Sequence, residues 1–449
     1  MRLEMHLPHQ SAASGKIRGG EGMGGGVFPC AWMAVFAMNL EFGCNTVGNK
    51  LSMSWFYGFI TLPWWGYLLV ALALTHVTIV SVTLFLHRSQ AHRALDMHPA
   101  LAHFFRFWLW LTTSMITREW VAVHRKHHAK CETPDDPHSP YHKGIGKVLL
   151  EGAELYGEEA SKQETLEKYG RGTPDDWLER HLYTRRHMLG IVLMAVIDLL
   201  LFGVVGIVIW AVQMIWIPFW AAGVINGLGH WWGYRNYETE DGSTNLSPVG
   251  ILIGGEELHN NHHAFPGSAR FSLKPWEFDI GWMYLSVLRR LGLVRIKKVA
   301  PKVIVDPDKK GIDLETARAV VIAHLDLSAR YAREVMLPVL RQEFARADAS
   351  CRALLKRGRR VLMRDESRLD ERGRSRLAMT LQASETLRTV YEYRRRLRAL
   401  WSSRTQGTEA LLASIQQWCA EAEASGIQAL QEFARVLRGY SLRPASSVS

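Results

Sequence analysis

Long apolar stretches alternate with polar, histidine-bearing segments over the first two thirds of the chain. Residues 63–86 are apolar over enough length to cross a bilayer once. Residues 188–229 form a nearly uncharged stretch of about 40 residues, enough for two crossings with a turn near Gly203 and Gly206. The pattern therefore predicts an all-α integral membrane protein with polar segments between its transmembrane helices.

A further apolar segment, residues 99–117, separates the first two histidine-bearing segments. If it crossed the membrane once, those segments would lie on opposite faces and could not share metal ions. We therefore expect it to be re-entrant or to lie in the interface, which suits His103, Arg106 and its tryptophans. The hairpin at 188–229 then returns the chain to its starting side, where the histidine-bearing segments can meet.

The distribution of charge predicts the orientation. Lys and Arg are abundant in residues 87–187 and in the C-terminal segment, whereas the turn at 203–206 has none. The positive-inside rule then places the histidines and the C-terminus in the cytoplasm and the protein in the cytoplasmic membrane. Asp198 lies inside the apolar hairpin, where a carboxyl group is either a structural group with a partner or a functional one.

Composition changes at both ends of this 449-residue chain and suggests three regions. Residues 1–52 are glycine-rich, and three interpretations fit them: a disordered tail, an extension from a misassigned start with Met53 as the true beginning, or a weak signal peptide. Residues 53–300 are the predicted membrane domain. Residues 301–449 are a predicted basic helical domain.

The C-terminal region carries much of the arginine behind the net charge of +11. Helices are predicted from Asp313 to Gly439, with breaks near glycines. These are Gly358, Gly373, Gly407 and Gly426. The basic runs LKRGRRVLMR and YEYRRRLRAL fit solvated helix faces, an anionic-lipid contact or a dock for an electron donor. Since no nucleic-acid-binding motif accompanies this charge, no nucleic-acid partner is expected.

Four short segments contain the candidate chemistry: HRSQAH, HRKHH, NGLGH and HNNHH. On a helix the 1-4-5 spacing of HRKHH and HNNHH aims three rings to one side. One metal ion accepts about four to six such ligands, so nine histidines imply two ions. The candidate histidines are His87, His92, His124, His127, His128, His230, His259, His262 and His263. Asn226 is a possible tenth contact.

The identity of the metal follows from the expected substrate rather than from spacing, because imidazole suits Zn, Cu, Fe and Ni. Apolar walls beside the histidines suit an alkyl chain, whose C–H bonds need a redox metal and O₂, so iron is predicted. The five cysteines form no CxxC pair, which indicates neither a disulfide framework nor a thiolate metal site. Glu256 and His259 form one Glu-x-x-His motif, whereas carboxylate-rich di-iron bundles need two.

Residues 64–290 resemble the membrane fatty-acid desaturases, of the acyl-CoA or acyl-lipid delta-9 type. The resemblance rests on HRSQAH, on EWVAVHRKHHAKCETPDDPHSP, on NGLGHWWGYRN and on GGEELHNNHHAFP, in that order. Animal members have a complete helix hairpin before the first motif, whereas this chain has one clear crossing there. The resemblance of this chain to the animal members ends near residue 300. The chain resembles bacterial members, which have a similar helical tail, over its whole length.

The resemblance implies transmembrane helices beneath a cytoplasmic di-iron cap. The nine histidines would bind two irons, and Asn226 would reach one of them through a water. O₂ would be the co-substrate and the fatty acyl group would arrive on CoA, acyl carrier protein or a phospholipid. Electrons would come from a separate ferredoxin, rubredoxin or cytochrome with an NAD(P)H reductase. Trp120, Asp136 and His138 also match the flanks, and we expect them to shape the site.

Two other functions fit these residues. A histidine-box hydroxylase would use the same oxidant on an alkyl or lipid substrate. A metal-binding membrane scaffold would use the basic tail to recruit partners.

Overall fold

The computed structural model describes residues 58–309, 311–364, 366, 369–402 and 407–442. The interpretations offered for residues 1–52 lie outside that part of the chain. The described chain is mostly helical, as predicted. It also contains short strands, which an all-α prediction omits.

The first half of the chain supplies two long apolar helical segments and the helices between them. The helices are α1 (Trp64–Ser81), α2 (Pro99–Thr113), α3 (Thr117–Lys130), α4 (Pro140–Lys143), α5 (Ile145–Leu150), α6 (Gly152–Ala160), α7 (Gln163–Tyr169), α8 (His187–Phe202) and α9 (Val204–Ile217). Strand β1 (Leu95–Met97) precedes α2. Three segments are wound as π-helix: Val82–Ala91, Glu179–Thr184 and Pro218–Leu228. The first extends α1 and the last extends α9.

Short strands fasten the segments that follow. Between residues 249 and 305 lie β2 (Val249–Gly250), α10 (His259–Ala264), β3 (Phe278–Asp279), α11 (Ile280–Arg290), β4 (Val294–Ile296) and β5 (Val303–Val305). Strands β1 and β4 pair antiparallel, and β2 and β3 pair parallel. Strand β1 follows the first histidine motif and β4 follows the last one, so their pairing links these two parts of the chain.

Among the described residues, two helical segments are long and apolar enough to cross a membrane, Trp64–Ala91 and Val204–Leu228, and α8 is a shorter apolar helix of 16 residues. Large apolar side chains on all three face outward. Examples are Trp64, Leu68, Leu72, Val192, Val196, Leu200, Val204 and Val208. Because water-soluble surfaces rarely expose apolar area of this extent, the pattern suggests association with a membrane. The number of crossings and their orientation stay predictions.

The predicted turn near Gly203 separates α8 from α9. Gly203 has a φ of 63°, a left-handed conformation that glycine adopts without strain. Inside the hairpin, the Gln213 side-chain amide donates a 2.9 Å hydrogen bond to the Asp198 carboxylate. The buried Asp198 carboxyl therefore has a partner on the facing helix.

Helix α2 packs beside α1, and the Trp108 indole donates to the Thr78 hydroxyl on α1. Its Arg106 pairs with Asp176 and Glu179, which precede α8. This polar anchorage agrees with the composition that led us to expect an interfacial or re-entrant segment. Its depth in a membrane stays a prediction.

Residues 314–442 form a helical assembly around an apolar core that includes Leu327, Tyr331, Val390, Trp418 and Phe433. Its helices are α12 (Leu314–Ile322), α13 (His324–Tyr331), α14 (Leu337–Arg346), α15 (Ala349–Met363), α16 (Glu371–Gln382), α17 (Glu385–Ser402), α18 (Thr408–Ala424) and α19 (Gln428–Arg438). A π-wound segment, Ala332–Met336, joins α13 to α14. Strand β6 (Tyr440–Leu442) pairs antiparallel with β5.

One of the four predicted helix breaks in this region is wrong. Gly407 and Gly426 lie at helix ends and Gly373 lies two residues after the start of α16, but Gly358 lies inside α15. A Cβ at Gly358 would approach the Thr380 hydroxyl to 2.2 Å. This glycine therefore permits a close helix crossing. The proposed domain boundaries near residues 52 and 300 stay predictions.

Candidate metal centre

The first histidine motif depends on π-helical winding. In an ordinary α-helix, residues five apart point about 140° away from each other. Here the backbone N–H of His92 donates to the carbonyl of His87, which closes the wider turn of a π-helix. The two rings consequently approach, with centroids 4.8 Å apart.

The three histidines of HRKHH, on α3, do not all face the same group of rings, and neither do those of HNNHH, on α10. On α3, His124 and His128 face one group and His127 faces the other. On α10, His262 belongs to the first group, while His263 belongs to the second. Helix geometry explains the division, because neighbouring residues point about 100° apart, whereas residues four apart nearly overlap.

The first cluster consists of five histidines whose ligand nitrogens all lie within 4.8 Å of one another. They are His87, His92, His124, His128 and His262. The Nε2 atom of His262 lies 3.1 Å from that of His87 and 2.9 Å from that of His128. The Nε2 atoms of these five rings thus point toward one another. The rings come from α10, from α3 and from the π-wound end of the first apolar segment.

The second cluster contains the other four candidate histidines. They are His127, His230, His259 and His263. Ligand atoms of His127, His230 and His263 lie within 4.8 Å of one another and of the Cys131 sulfur. His259 joins through its Nε2 atom, 3.0 Å from the Nε2 of His230. The structure therefore brings all nine candidate histidines into two adjacent clusters, and their role as ligands stays a prediction.

Carboxylates approach the Nδ1 atoms of four of these rings. The contacts are Glu256 to His87 at 2.6 Å, Asp136 to His127 at 3.0 Å, Asp241 to His263 at 2.8 Å and Glu132 to His230 at 3.3 Å. A carboxylate on Nδ1 fixes the tautomer that leaves Nε2 free to bind a metal, and this outer contact is common in metal sites. The arrangement is that of a metal centre with oriented ligands.

Electrostatics keep most of the buried rings neutral. Burial, followed by repulsion from neighbouring histidines, lowers the pKa of His124, His128 and His262 well below its ordinary value. Burial alone would raise the pKa of Asp136, but the facing His127 ring outweighs it and lowers that pKa. Neutral imidazole and ionised carboxylate are the forms that a metal site and its outer contacts require.

A cavity of about 430 Å³ leads to both clusters. Its walls are largely apolar and come from α1, α2, α9 and the π-wound segment that follows α9. The apolar lining includes Ile79, Val82, Met115, Met214, Ile217, Ala221 and Ile225. His87 and His124 of the first cluster and His259 of the second also line it. A long apolar ligand in this cavity would therefore meet both clusters.

Asn226, the predicted tenth contact, lines this cavity together with His87, His124 and His259. Trp120 also lines the cavity, with its ring stacked on His124 at 4.9 Å between centroids. His138 packs against His127 at 4.3 Å, and Asp136 bonds to the same ring. These three flanking residues surround the site, as expected.

Sequence reasoning missed three of the four outer carboxylates. Glu132 and Asp241 lie in irregular segments without a motif of their own. Glu256 was considered only as part of a Glu-x-x-His motif, whereas its carboxylate contacts His87 and accepts a hydrogen bond from Thr83. The spacing from Glu256 to His259 is therefore not that of two ligands sharing one ion.

Replacing Glu256 with glutamine is expected to weaken binding at the first cluster about 10- to 100-fold, as is typical when an outer partner is lost. The amide keeps the shape of the side chain but replaces the carboxyl oxygen at the Nδ1 atom of His87 with a weaker acceptor. The measurement is a competition titration with a metal chelator on the purified, detergent-solubilised protein.

Glu257→Gln provides a matched control, because Glu257 is also buried but accepts hydrogen bonds from backbone N–H groups, among them those of Ile253 and Gly255. Its metal affinity should stay close to that of the wild type. An equal loss of affinity in both variants would contradict the orienting role of Glu256.

Comparison with known proteins gives two family matches. The model described as fatty acid desaturase matches residues 62–277, a range that contains both clusters and the cavity. A model described as transposase matches residues 328–443, about a quarter of the chain. The second match lies within the C-terminal helices.

Curated relatives match about half of this chain. An sn-1 stearoyl-lipid 9-desaturase of Anabaena variabilis is 32% identical over 241 residues, covering 53% of this chain and 86% of the relative. Delta-9 acyl-lipid desaturase 1 of Arabidopsis thaliana is 33% identical over 233 residues, covering 51% and 74%. An acyl-CoA 5-desaturase of Anemone leveillei is 32% identical over 234 residues, covering 50% and 69%.

Proposed function

Since the chain belongs to the fatty acid desaturase family and is an oxidoreductase, we propose that it desaturates a saturated fatty acyl chain with O₂ at a pair of iron ions. The delta-9 position is the proposed site of the new double bond. The observation that carries the proposal is the largely apolar cavity that is also lined by histidines of both clusters.

The donor set suits iron. The first cluster offers five imidazole nitrogens within 4.8 Å of one another, one more than the four ligands of a tetrahedral zinc site. All nine histidines are the proposed ligands, and Asn226 is proposed to act through a water.

When bound, the reduced metal pair would supply the O₂ chemistry that removes two hydrogens from neighbouring methylenes. Atoms balance with one O₂, two electrons and two protons consumed, one C–C bond becoming C=C, and two waters released. The protein's own residues confine the acyl chain and exclude water. The apolar walls hold the chain at the histidines, so only carbons at that depth react.

The carboxylates in this proposal hold the imidazole rings in place during turnover. Asp136 accepts the Nδ1 proton of His127, and Asp241 does the same for His263. Each ring then keeps one tautomer and one orientation. Trp120, stacked on His124, closes the cavity wall beside the first cluster.

The electrons are proposed to come from a separate protein, a ferredoxin, rubredoxin or cytochrome with an NAD(P)H reductase. Within the part of the chain that the structure describes, no disulfide joins Cys131, Cys351 and Cys419. They lie at the end of α3, in α15 and in α18, so the described residues form no four-thiolate site for an iron–sulfur cluster.

The position of the double bond is the finer part of the proposal. Two relatives named as 9-desaturases support delta-9, whereas a relative of similar identity is named as a 5-desaturase. Position therefore depends on features that vary within the family. The proposed location, the cytoplasmic membrane with both clusters on the cytoplasmic side, rests on the apolar helices and the distribution of Lys and Arg.

The test is fatty-acid analysis of membranes from a host that expresses the chain together with a ferredoxin and its reductase. We expect acyl chains lighter by two hydrogens, with the double bond at carbon 9 after derivatisation and mass spectrometry. A gain of one oxygen would instead indicate a hydroxylase. No modified lipid from iron-loaded, folded protein would reject the proposal.

A further inference from the structure

Cys131 lies next to the second cluster. It ends α3, three residues after His128, and its sulfur is 3.9 Å from the Nε2 atom of His127. The same sulfur is 3.8 Å from the Nδ1 atom of His230. A cysteine without a CxxC partner is thus brought by the fold to two imidazoles on different segments.

An independent observation at the same place indicates a ligand. The Nε2 atom of His263 is buried, and it has no hydrogen-bond partner among the residues that the structure describes. The His263 side chain is only 1% exposed, and its Nδ1 atom is held by Asp241. A buried ring nitrogen of this kind needs a partner, because an unsatisfied polar atom is costly in the interior.

The distances suit sulfur and nitrogen on one ion. Ligands about 2.1 Å and 2.3 Å from an ion lie roughly 3–4 Å apart. The separation of 3.9 Å between the Cys131 sulfur and the His127 nitrogen is within that range. Ligand atoms of Cys131, His127, His230 and His263 all lie within 4.8 Å of one another.

The contact with His230 allows a second arrangement that experiment can separate from the first. Cys131 meets the Nδ1 atom of His230, which the Glu132 carboxylate also approaches. If His230 binds metal through Nε2, the thiol could only support this ring. The approach to His127 is different, because its Nδ1 atom is already taken by Asp136 and the sulfur meets Nε2.

We propose that the Cys131 thiolate is a ligand of the ion held by the second cluster. The proposal rests on the proposed function, in which that cluster holds one of two irons. On binding, the S–H bond breaks, its electron pair goes to the ion and the proton leaves to solvent. The two centres then differ, one with imidazole ligands and the other with imidazole and a softer thiolate.

The first test uses Co²⁺ as a probe of the full-length, detergent-purified protein. Wild type should show a near-ultraviolet thiolate-to-cobalt charge-transfer band, which Cys131→Ser should lose while still binding two ions. Cys351→Ser is the matched control and should keep the band, because Cys351 lies on α15 in the C-terminal region. A wild-type spectrum without the band would overturn the proposal.

The second test uses the iron-loaded protein. X-ray absorption should detect a sulfur neighbour at about 2.3 Å in wild type and in Cys351→Ser, but not in Cys131→Ser. Alkylation of Cys131, read by peptide mass spectrometry, should be at least about tenfold slower with metal than without it. Equal alkylation rates would mean that the sulfur does not bind.

These outcomes separate the two proposals. If X-ray absorption detects two bound irons with only nitrogen and oxygen neighbours, Cys131 is not a ligand. The proposed function would not be affected by that result. Failure of folded wild type, Cys131→Ser and Cys351→Ser to bind any iron would overturn both. If Cys131 is a ligand, Cys131→Ser should weaken the second ion about 10-fold or more, at least the loss seen for outer partners.

Discussion

Replacing His262 with alanine is expected to remove one of two bound irons and to lower desaturation at least about 100-fold, more than the loss of an outer partner costs. His262 presents its Nε2 atom to both His87 and His128 in the first cluster. No neighbouring side chain occupies the same position, so its removal opens the cluster. Iron content by elemental analysis and product formation in reconstituted membranes measure the effect.

The neighbouring variant His263→Ala should give a different loss. His263 lies in the second cluster, since its backbone position is one residue farther along α10 and its ring points elsewhere. Both variants should retain about one iron, but their Mössbauer spectra should differ because each keeps a different ion.

His324→Ala is the control for general effects of losing a histidine. His324 is half-buried, and its Nδ1 atom lies 2.7 Å from the carbonyl oxygen of Val321 in the C-terminal helices. It should retain two irons and full turnover. Full iron content and turnover in His262→Ala would show that the first cluster is not a metal centre.

Which residues meet at the site was predictable to a large extent from spacing. Residues four apart on a helix nearly overlap, so His124 and His128 were expected on one side of α3. The same geometry points His127 away from His124 and His128. Its assignment to the second cluster, however, requires knowing which histidines from other segments lie on each side of α3. The meeting of α3 with α10 depends on tertiary packing, which periodicity alone does not predict.

Other features of the site were beyond local pattern. The π-helical winding that joins His87 to His92 was not predicted, although their five-residue spacing is compatible with it. Asp241 lies in a segment without periodicity, and nothing near it indicates that it would face His263. The same holds for Cys131, whose contact with the second cluster arises because α3 ends there.

The C-terminal helices were predicted well at their limits and less well inside. Asp313 caps the first helix through the backbone N–H of Thr316, and the last helix ends at Gly439. Polar caps and terminal glycines are local signals, which explains this success. The use of Gly358 at a helix crossing is a long-range feature. The expected lack of a nucleic-acid partner stays a prediction beside the match of residues 328–443 to a transposase model.

A second large effect is expected at Arg88, which lies beside His87 but contacts neither cluster directly. Its guanidinium is fully buried and donates to the Asp279 carboxylate at 2.9 Å and to the carbonyl of Gly254 at 3.1 Å. It also lies 4.0 Å from the ring centre of Phe271. Asp279 accepts the backbone N–H of Phe271 and of Trp282, so this pair joins the first histidine motif to the chain that follows the last one.

Arg88→Met is therefore expected to lower the free energy of unfolding by about 3–5 kcal/mol, because it leaves the Asp279 charge buried without its counter-charge. Arg88→Met combined with Asp279→Asn removes both charges and keeps an acceptor for one of the two N–H groups, since Phe271 and Trp282 donate to different carboxylate oxygens. The double variant should be more stable than Arg88→Met alone. Unfolding in mixed detergent micelles, followed by circular dichroism, measures all three proteins.

Arg295→Met is the matched control, since Arg295 makes the same kind of ion pair with Asp96 but is 81% exposed. Exposed pairs contribute about 0–1 kcal/mol, because water screens the charges and the side chains lose entropy on pairing. The difference between the two arginines tests whether burial, rather than pairing as such, makes Arg88 essential. Equal costs for Arg88→Met and Arg295→Met would mean that the buried pair does not hold the histidine segments together.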